Sequence, residues 1–192
     1  MINCISFAMR LPVIALALIV AWSLPLSSAY AGDYQEAVSS WSSDKDVGEW
    51  LRKNFEFDRG RMGTIQKRLK SQGPSGLLIR SPEALYSNSE GYCADAANFA
   101  LNALNKIDPE HNARWVFIKN GAGKINHWVT GYTVKGKLFI MDYGAGSHWK
   151  AMIGIHGPYN SLDDYANFLT SLGIKGFSPE RVFWREIPGQ VD

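Results

Sequence analysis

Disulfide-forming potential is almost absent from this chain. It holds two cysteines, Cys4 and Cys93. Cys4 lies in an N-terminal segment that reads as removable, so one cysteine would remain and no internal disulfide could form. Charge of one sign is also missing. The formal net charge is +2 with histidine neutral, too near balance to call for nucleic acid or an anionic membrane surface as partner. No Arg/Lys stripe interleaved with aromatics appears, which sets nucleic-acid binding aside. There are no repeats, no low-complexity tracts and no acidic cluster with calcium-loop spacing. What is present is ordinary for a globular protein: 46% hydrophobic, 20% charged and 12% aromatic residues.

The N-terminus has the layout of a Sec-type signal peptide. Arg10 precedes an apolar run from Leu11 to Leu26, and Ala29-Tyr30-Ala31 offers small residues before a cleavage point. An uncleaved membrane anchor is the alternative, but the run is short for a span and carries Pro12 and Pro25. The expectation is a signal peptide over 1–31, a single domain over 32–192, and a periplasmic or secreted protein. The mature chain, 192 less 31 or 161 residues, could bury roughly 70% of its unfolded surface. In an oxidising compartment its lone thiol is either buried and structural or used.

Periodicity gives helices first and alternating strands afterwards. Residues 32–43 are polar and serine-rich and read as a loosely held arm. Ser43 opens a helix with Val47, Trp50, Leu51 and Phe55 on one face, and Arg61 to Ser71 forms another with Met62, Ile65 and Leu69 inward. Gln72 to Gly76 is a loop. Ser81-Pro82-Glu83 starts a short helix. A long helix runs from Cys93 to Ile107 and ends at Asp108-Pro109. Strands follow over 113–119, 126–134 and 137–143, the last two joined by Lys135-Gly136, with a further strand over 152–155. Ser161 and Asp164 open a helix through Tyr165, Phe168 and Leu169, and 181–186 is a final strand. This order predicts an α+β domain with an antiparallel sheet.

Cys93 falls at the first turn of the long helix. Unpaired backbone N–H groups and the helix dipole favour an anion there, hence the nucleophilic thiolate. The Cys93 N–H could also donate to a developing oxyanion, and Gly91 leaves room for a substrate to approach. His127 lies in a strand, and Asp142 follows four apolar residues in the next. A two-residue turn at Lys135-Gly136 puts Asp142 on the same sheet face as His127 and diagonal to it. Taken singly, His127 could be a sheet histidine and Asp142 a strand-end residue. Together with the lone cysteine they point to a nucleophile, its base and the group that fixes the imidazole tautomer. His111, after Asp108-Pro109-Glu110, reads as a solvated loop residue. His148 and His156, eight apart in a glycine-rich stretch, make a poor metal pattern.

Gly91-Tyr92-Cys93-Ala94-Asp95, His127-Trp128-Val129 and Met141-Asp142-Tyr143, in that order, resemble the transglutaminase-like superfamily, distant relatives of papain-like peptidases. The resemblance covers roughly Asp46 to Gly144. It implies a papain-like core with the nucleophile helix packed on an antiparallel sheet. It also implies Cys93 as acyl-accepting nucleophile, His127 as general base and acid, and Asp142 as orienting carboxylate. Asp95 matches a frequent acidic position and reads as structural. Trp50, Gly91, Tyr92 and Trp128 are candidates for substrate contact or the second oxyanion donor. The expected reaction is acyl transfer at a peptide or carboxamide bond, without metal or cofactor. Hydrolysis is favoured over cross-linking because the chain lacks flanking β domains and calcium apparatus. The substrate would be a peptide, a protein or a cell-wall peptide. The alternatives are a protein-glutamine transglutaminase, or an idle module that binds peptide or glycan through Trp115, Trp128, Trp149 and Trp184.

Overall fold

The computed structural model describes residues 27–187 and 189–192. Most of the expected signal segment therefore lies outside the described residues. Among the described residues six α-helices and nine strands follow one another: α1 (Ser27–Ser40), α2 (Asp44–Asn54), β1 (Glu56–Phe57), α3 (Arg59–Gln72), β2 (Leu78–Ile79), α4 (Pro82–Asn88), β3 (Glu90–Gly91), α5 (Cys93–Ile107), β4 (Arg114–Asn120), β5 (His127–Val134), β6 (Lys137–Asp142), β7 (Gly154–Tyr159), α6 (Leu162–Ser171), β8 (Pro179–Trp184) and β9 (Gln190–Val191). The architecture is α+β. A five-stranded antiparallel sheet in the order β7-β6-β5-β4-β8 carries the second half of the chain.

Alternation along the strands gives the sheet two covered faces. Phe117, Trp128 and Ala97 meet on one face, as do Tyr132, Met141 and Ala100. The small α5 residues Ala96, Ala97, Ala100 and Ala103 let the helix lie close to the sheet. There Thr130 Oγ1 donates to the Ala97 carbonyl at 2.8 Å. Val116, Ile118, Val129 and Ile140 point to the opposite face, where Tyr165 and Leu169 of α6 cover them.

The β5–β6 hairpin has the expected two-residue turn. Val134 pairs with Lys137, and Lys135 and Gly136 both take positive φ, at 49° and 74°. Primed turns of this kind match the twist of the strands they join.

Three readings of the sequence need correction. The segment before Ser43 is not a loose arm. Through Ser40 it belongs to α1, with Tyr34 and Val38 each 2% exposed. Only four residues apart, they share a helix face, and packing on Phe99 and Tyr86 outweighs the polar composition around them. His111 is not solvated either. It is buried, its Nδ1 3.0 Å from the Leu104 carbonyl at the end of α5. The strand placed over 152–155 runs instead over Gly154–Tyr159. The parallel pairs β1–β3 and β2–β9 had no signal in the sequence, being two residues per strand.

Candidate active site

The mouth of α5 is fixed before any chemistry is considered. Tyr92 is the N-cap in an extended conformation, and α5 starts at Cys93. Asp95, in the first turn, is fully buried. Its carboxylate accepts from the Tyr92 N–H at 3.0 Å, the Arg80 N–H at 2.7 Å, and Arg61 Nε and Nη2 at 2.8 and 3.3 Å. Burial pushes the Asp95 carboxyl above its ordinary pKa, against the opposing pull of Arg61 and these N–H donors. Arg61 reaches on to Asp192 at 3.0 Å. The structural reading of Asp95 thus has its physical cause: it ties helix mouth, α3 and the β2 edge together.

The imidazole and carboxylate come from the hairpin. His127 Nε2 and Asp142 Oδ2 are 2.7 Å apart, both groups essentially without solvent contact. The strand register makes them diagonal neighbours, since Thr130 faces Met141 and each step outward keeps them in phase. The other Asp142 oxygen accepts from the Gly144 N–H at 3.1 Å. Burial alone would lower the His127 pKa. The charge and hydrogen bond of Asp142, followed by the hydrogen bond and charge of Cys93, overcome it and raise the ring from 6.5 to about 10. Nε2 is taken by Asp142, and Cys93 borders the same cavity as the ring. Trp149 stands edge-on to the imidazole at 5.6 Å between centroids.

Cys93 and His127 meet around the end of the sheet rather than across one face. By alternation His127 and Asp142 lie on the α6 side with Val129 and Ile140, whereas α5 covers the other side. Gly144 makes the approach possible. A Cβ there would overlap Cys93 Cα and stand 3.0 Å from the Cys93 carbonyl oxygen. The sequence offered only a glycine after a strand as a sign of this.

Cys93 is half-buried and lies where two cavities join. One, of about 390 Å³, includes His127, Gly144, Trp149 and Arg59. The other, of about 350 Å³, includes Tyr92, Phe117, Trp128 and Arg185. Met62, Ile65, Gln66 and Leu69 of α3 border the second; Ile65 is buried in the core as expected, with Met62 packed beside it, whereas Leu69 is exposed on the cleft wall. Lys124, Ile125 and Asn126 border both. Trp149 lines the first cavity, as considered for a groove, whereas the contribution of its neighbours Ser147 and His148 was missed by sequence reasoning. These residues form a short 3₁₀ segment that carries no periodic signal.

The remaining candidates divide. Trp128 lines the second cavity, and Tyr92 borders it while its hydroxyl donates to the Leu78 carbonyl at 3.0 Å. Trp50 is not at the site. It stacks on Phe99 at 4.4 Å and Tyr86 at 5.1 Å, on the face of α5 away from the clefts. Gly91 gives no room to a substrate, because the space a Cβ would take is already bounded by the Asp95 Cβ at 2.8 Å and Leu85 at 3.0 Å. Of the four tryptophans considered for a groove, Trp128 and Trp149 line the cavities, Trp115 is buried in the core beside Trp128, and Trp184 lies on the outer strand under the Arg114 guanidinium at 4.1 Å. His156 contacts the Met152 carbonyl through Nε2 at 2.7 Å. Among the described residues, no group of three or more His, Cys, Asp or Glu side chains is placed to hold a metal ion.

Chemically, the arrangement offers a sulfur at a helix mouth, a ring able to carry and return a proton, and a buried carboxylate that holds the ring. No curated protein matches the chain. The family model described as the transglutaminase-like domain matches residues 34–157, well over half of it, and the chain belongs to that family.

Proposed function

We propose that the protein is an exported thiol enzyme that transfers acyl groups from a peptide or carboxamide bond, with water as the preferred acceptor. The transglutaminase-like family generally includes cysteine peptidases and acyltransferases. The observation that supports the reading is the buried 2.7 Å His127–Asp142 pair, on the same cavity as Cys93 at the start of α5. In the first half-reaction the Cys93 thiolate attacks the carbonyl carbon. The C–S bond forms, and the carbonyl electron pair moves to oxygen, where the Cys93 backbone N–H donates to it. Collapse breaks the C–N bond, and the His127 Nδ1 proton passes to the leaving nitrogen. Neutral His127 then takes a proton from water, the resulting hydroxide attacks the thioester, and the thiolate departs. Asp142 holds Nε2–H throughout and stabilises the imidazolium.

The N-terminal pattern over residues 1–31 supports export to the periplasm or beyond. Envelope proteins, peptides and cell-wall peptides are the substrates that such a location would offer. The direct test is alkylation by iodoacetamide near pH 6, in wild type and in His127→Ala. Faster modification than free cysteine, lost in His127→Ala, is expected. A wild-type rate no greater than that of free cysteine would refute the activated thiol. Trapping acyl-enzyme from a peptide library by mass spectrometry then separates hydrolysis from transfer to an added amine.

A further inference from the structure

The two cavities at Cys93 are chemically unequal. The departing nitrogen must lie within reach of the His127 ring, so the cavity that includes His127 takes the leaving side of the substrate. The other, which includes Cys93 but not His127, takes the acyl side. Aromatic and aliphatic side chains dominate that acyl cavity, among them Phe117, Trp128 and Leu77. Arg185 stands among them. Its guanidinium carbon lies 4.9 Å from the Phe117 ring centroid and 5.8 Å from that of Trp128. Its backbone N–H donates to the Trp115 carbonyl at 3.2 Å, which fixes the base of the side chain.

Among the described residues, no carboxylate pairs with Arg185, and its guanidinium hydrogen-bonds to no protein acceptor. The described residues around both cavities include the cations Arg59, Lys124 and Arg185 and no Asp or Glu. A guanidinium held over ring faces keeps its in-plane N–H fork free for a planar anion.

We propose that the acyl group carries a carboxylate, received by the Arg185 fork with its aliphatic stem against Phe117 and Trp128. This rests on the acyl-transfer reading above. Two kinds of substrate supply that chemistry: a peptide with a glutamate side chain just before the scissile bond, and a γ-linked glutamate whose α-carboxylate is free.

The test measures binding rather than turnover. Cys93→Ala is titrated with peptide pairs that differ only in carboxylate against carboxamide at that residue, one pair α-linked and one γ-linked. At least one pair is expected to favour the carboxylate roughly ten-fold, and which one does identifies the source. The preference disappears with Arg185→Gln and is weakened but kept in Arg185→Lys, which retains the charge without the fork. Equal binding within both pairs overturns the proposal. A second readout uses the native thiol. The ratio of iodoacetate to iodoacetamide alkylation rates falls on the order of three-fold at low ionic strength in Arg185→Gln. Lys124→Gln, on the exposed loop, reads the same field should Arg185→Gln fail to fold. An unchanged ratio in both variants also overturns the proposal. A slow absolute iodoacetamide rate in wild type would instead count against the enzyme reading, so the two failures are distinct.

Discussion

Gly144→Ala should separate the two halves of the site while leaving every ionisable group in place. The added methyl would overlap Cys93 Cα, and its other near neighbours are the Cys93 carbonyl oxygen at 3.0 Å and Cβ at 3.1 Å. Ordinary contact begins at 3.4 Å. Two of these three atoms are backbone at the start of a helix that Asp95 pins in place, so no flexible side chain can swing aside. Relief requires the strand end and helix mouth to part by about 1 Å. Overpacking of this kind costs about 1–3 kcal/mol of stability. A 1 Å misplacement of reacting groups is worth on the order of a hundred-fold in rate. Iodoacetamide alkylation near pH 6 reads the geometry, and urea unfolding reads the stability. The expected variant is folded, moderately destabilised, and reacts at close to the rate of free cysteine. Wild-type alkylation with an unchanged unfolding midpoint would refute the claim that Gly144 sets the Cys93–His127 approach.

Three further outcomes follow from particular contacts. Since the His127 pKa is raised on folding, from 6.5 to about 10, the pair with Asp142 stabilises fully below pH 6.5 and its contribution is lost as the pH climbs through about 10. The Tm difference between wild type and Asp142→Asn should therefore shrink over that interval, and a constant difference would contradict the assignment. Asp95→Asn leaves the nearly buried Arg61 guanidinium without its closest carboxylate and should cost about 3 kcal/mol in urea unfolding; a loss within experimental error would show that Asp192 suffices. Trp50→Ala should cost about 3 kcal/mol through lost packing on Phe99 and Tyr86, while the folded variant alkylates like wild type; a large loss of thiol reactivity would return Trp50 to the site.

Much of the framework was legible because it repeats locally. The bounds of α5 follow from an alanine-rich periodic face and the Asp108-Pro109 stop. The hairpin turn at Lys135-Gly136 fixes the register, and with it the shared face of His127 and Asp142. Polar composition misled at α1, where two buried residues decide the matter. It misled again at His111, whose partner is a carbonyl seven residues earlier.

The amino-acid order by itself determined that Cys93 would open a helix and that an imidazole and a carboxylate would stand in phase on adjacent strands. Those are consequences of helical and strand periods, each confined to a short stretch of chain. Only the tertiary structure decided that Cys93 and His127 share a cavity at the sheet's end beside Gly144, that α3 walls a cleft, and that Arg185 joins Phe117 and Trp128 beside Cys93. These contacts link residues far apart in the chain and depend on packing between elements, for which no local period carries a signal.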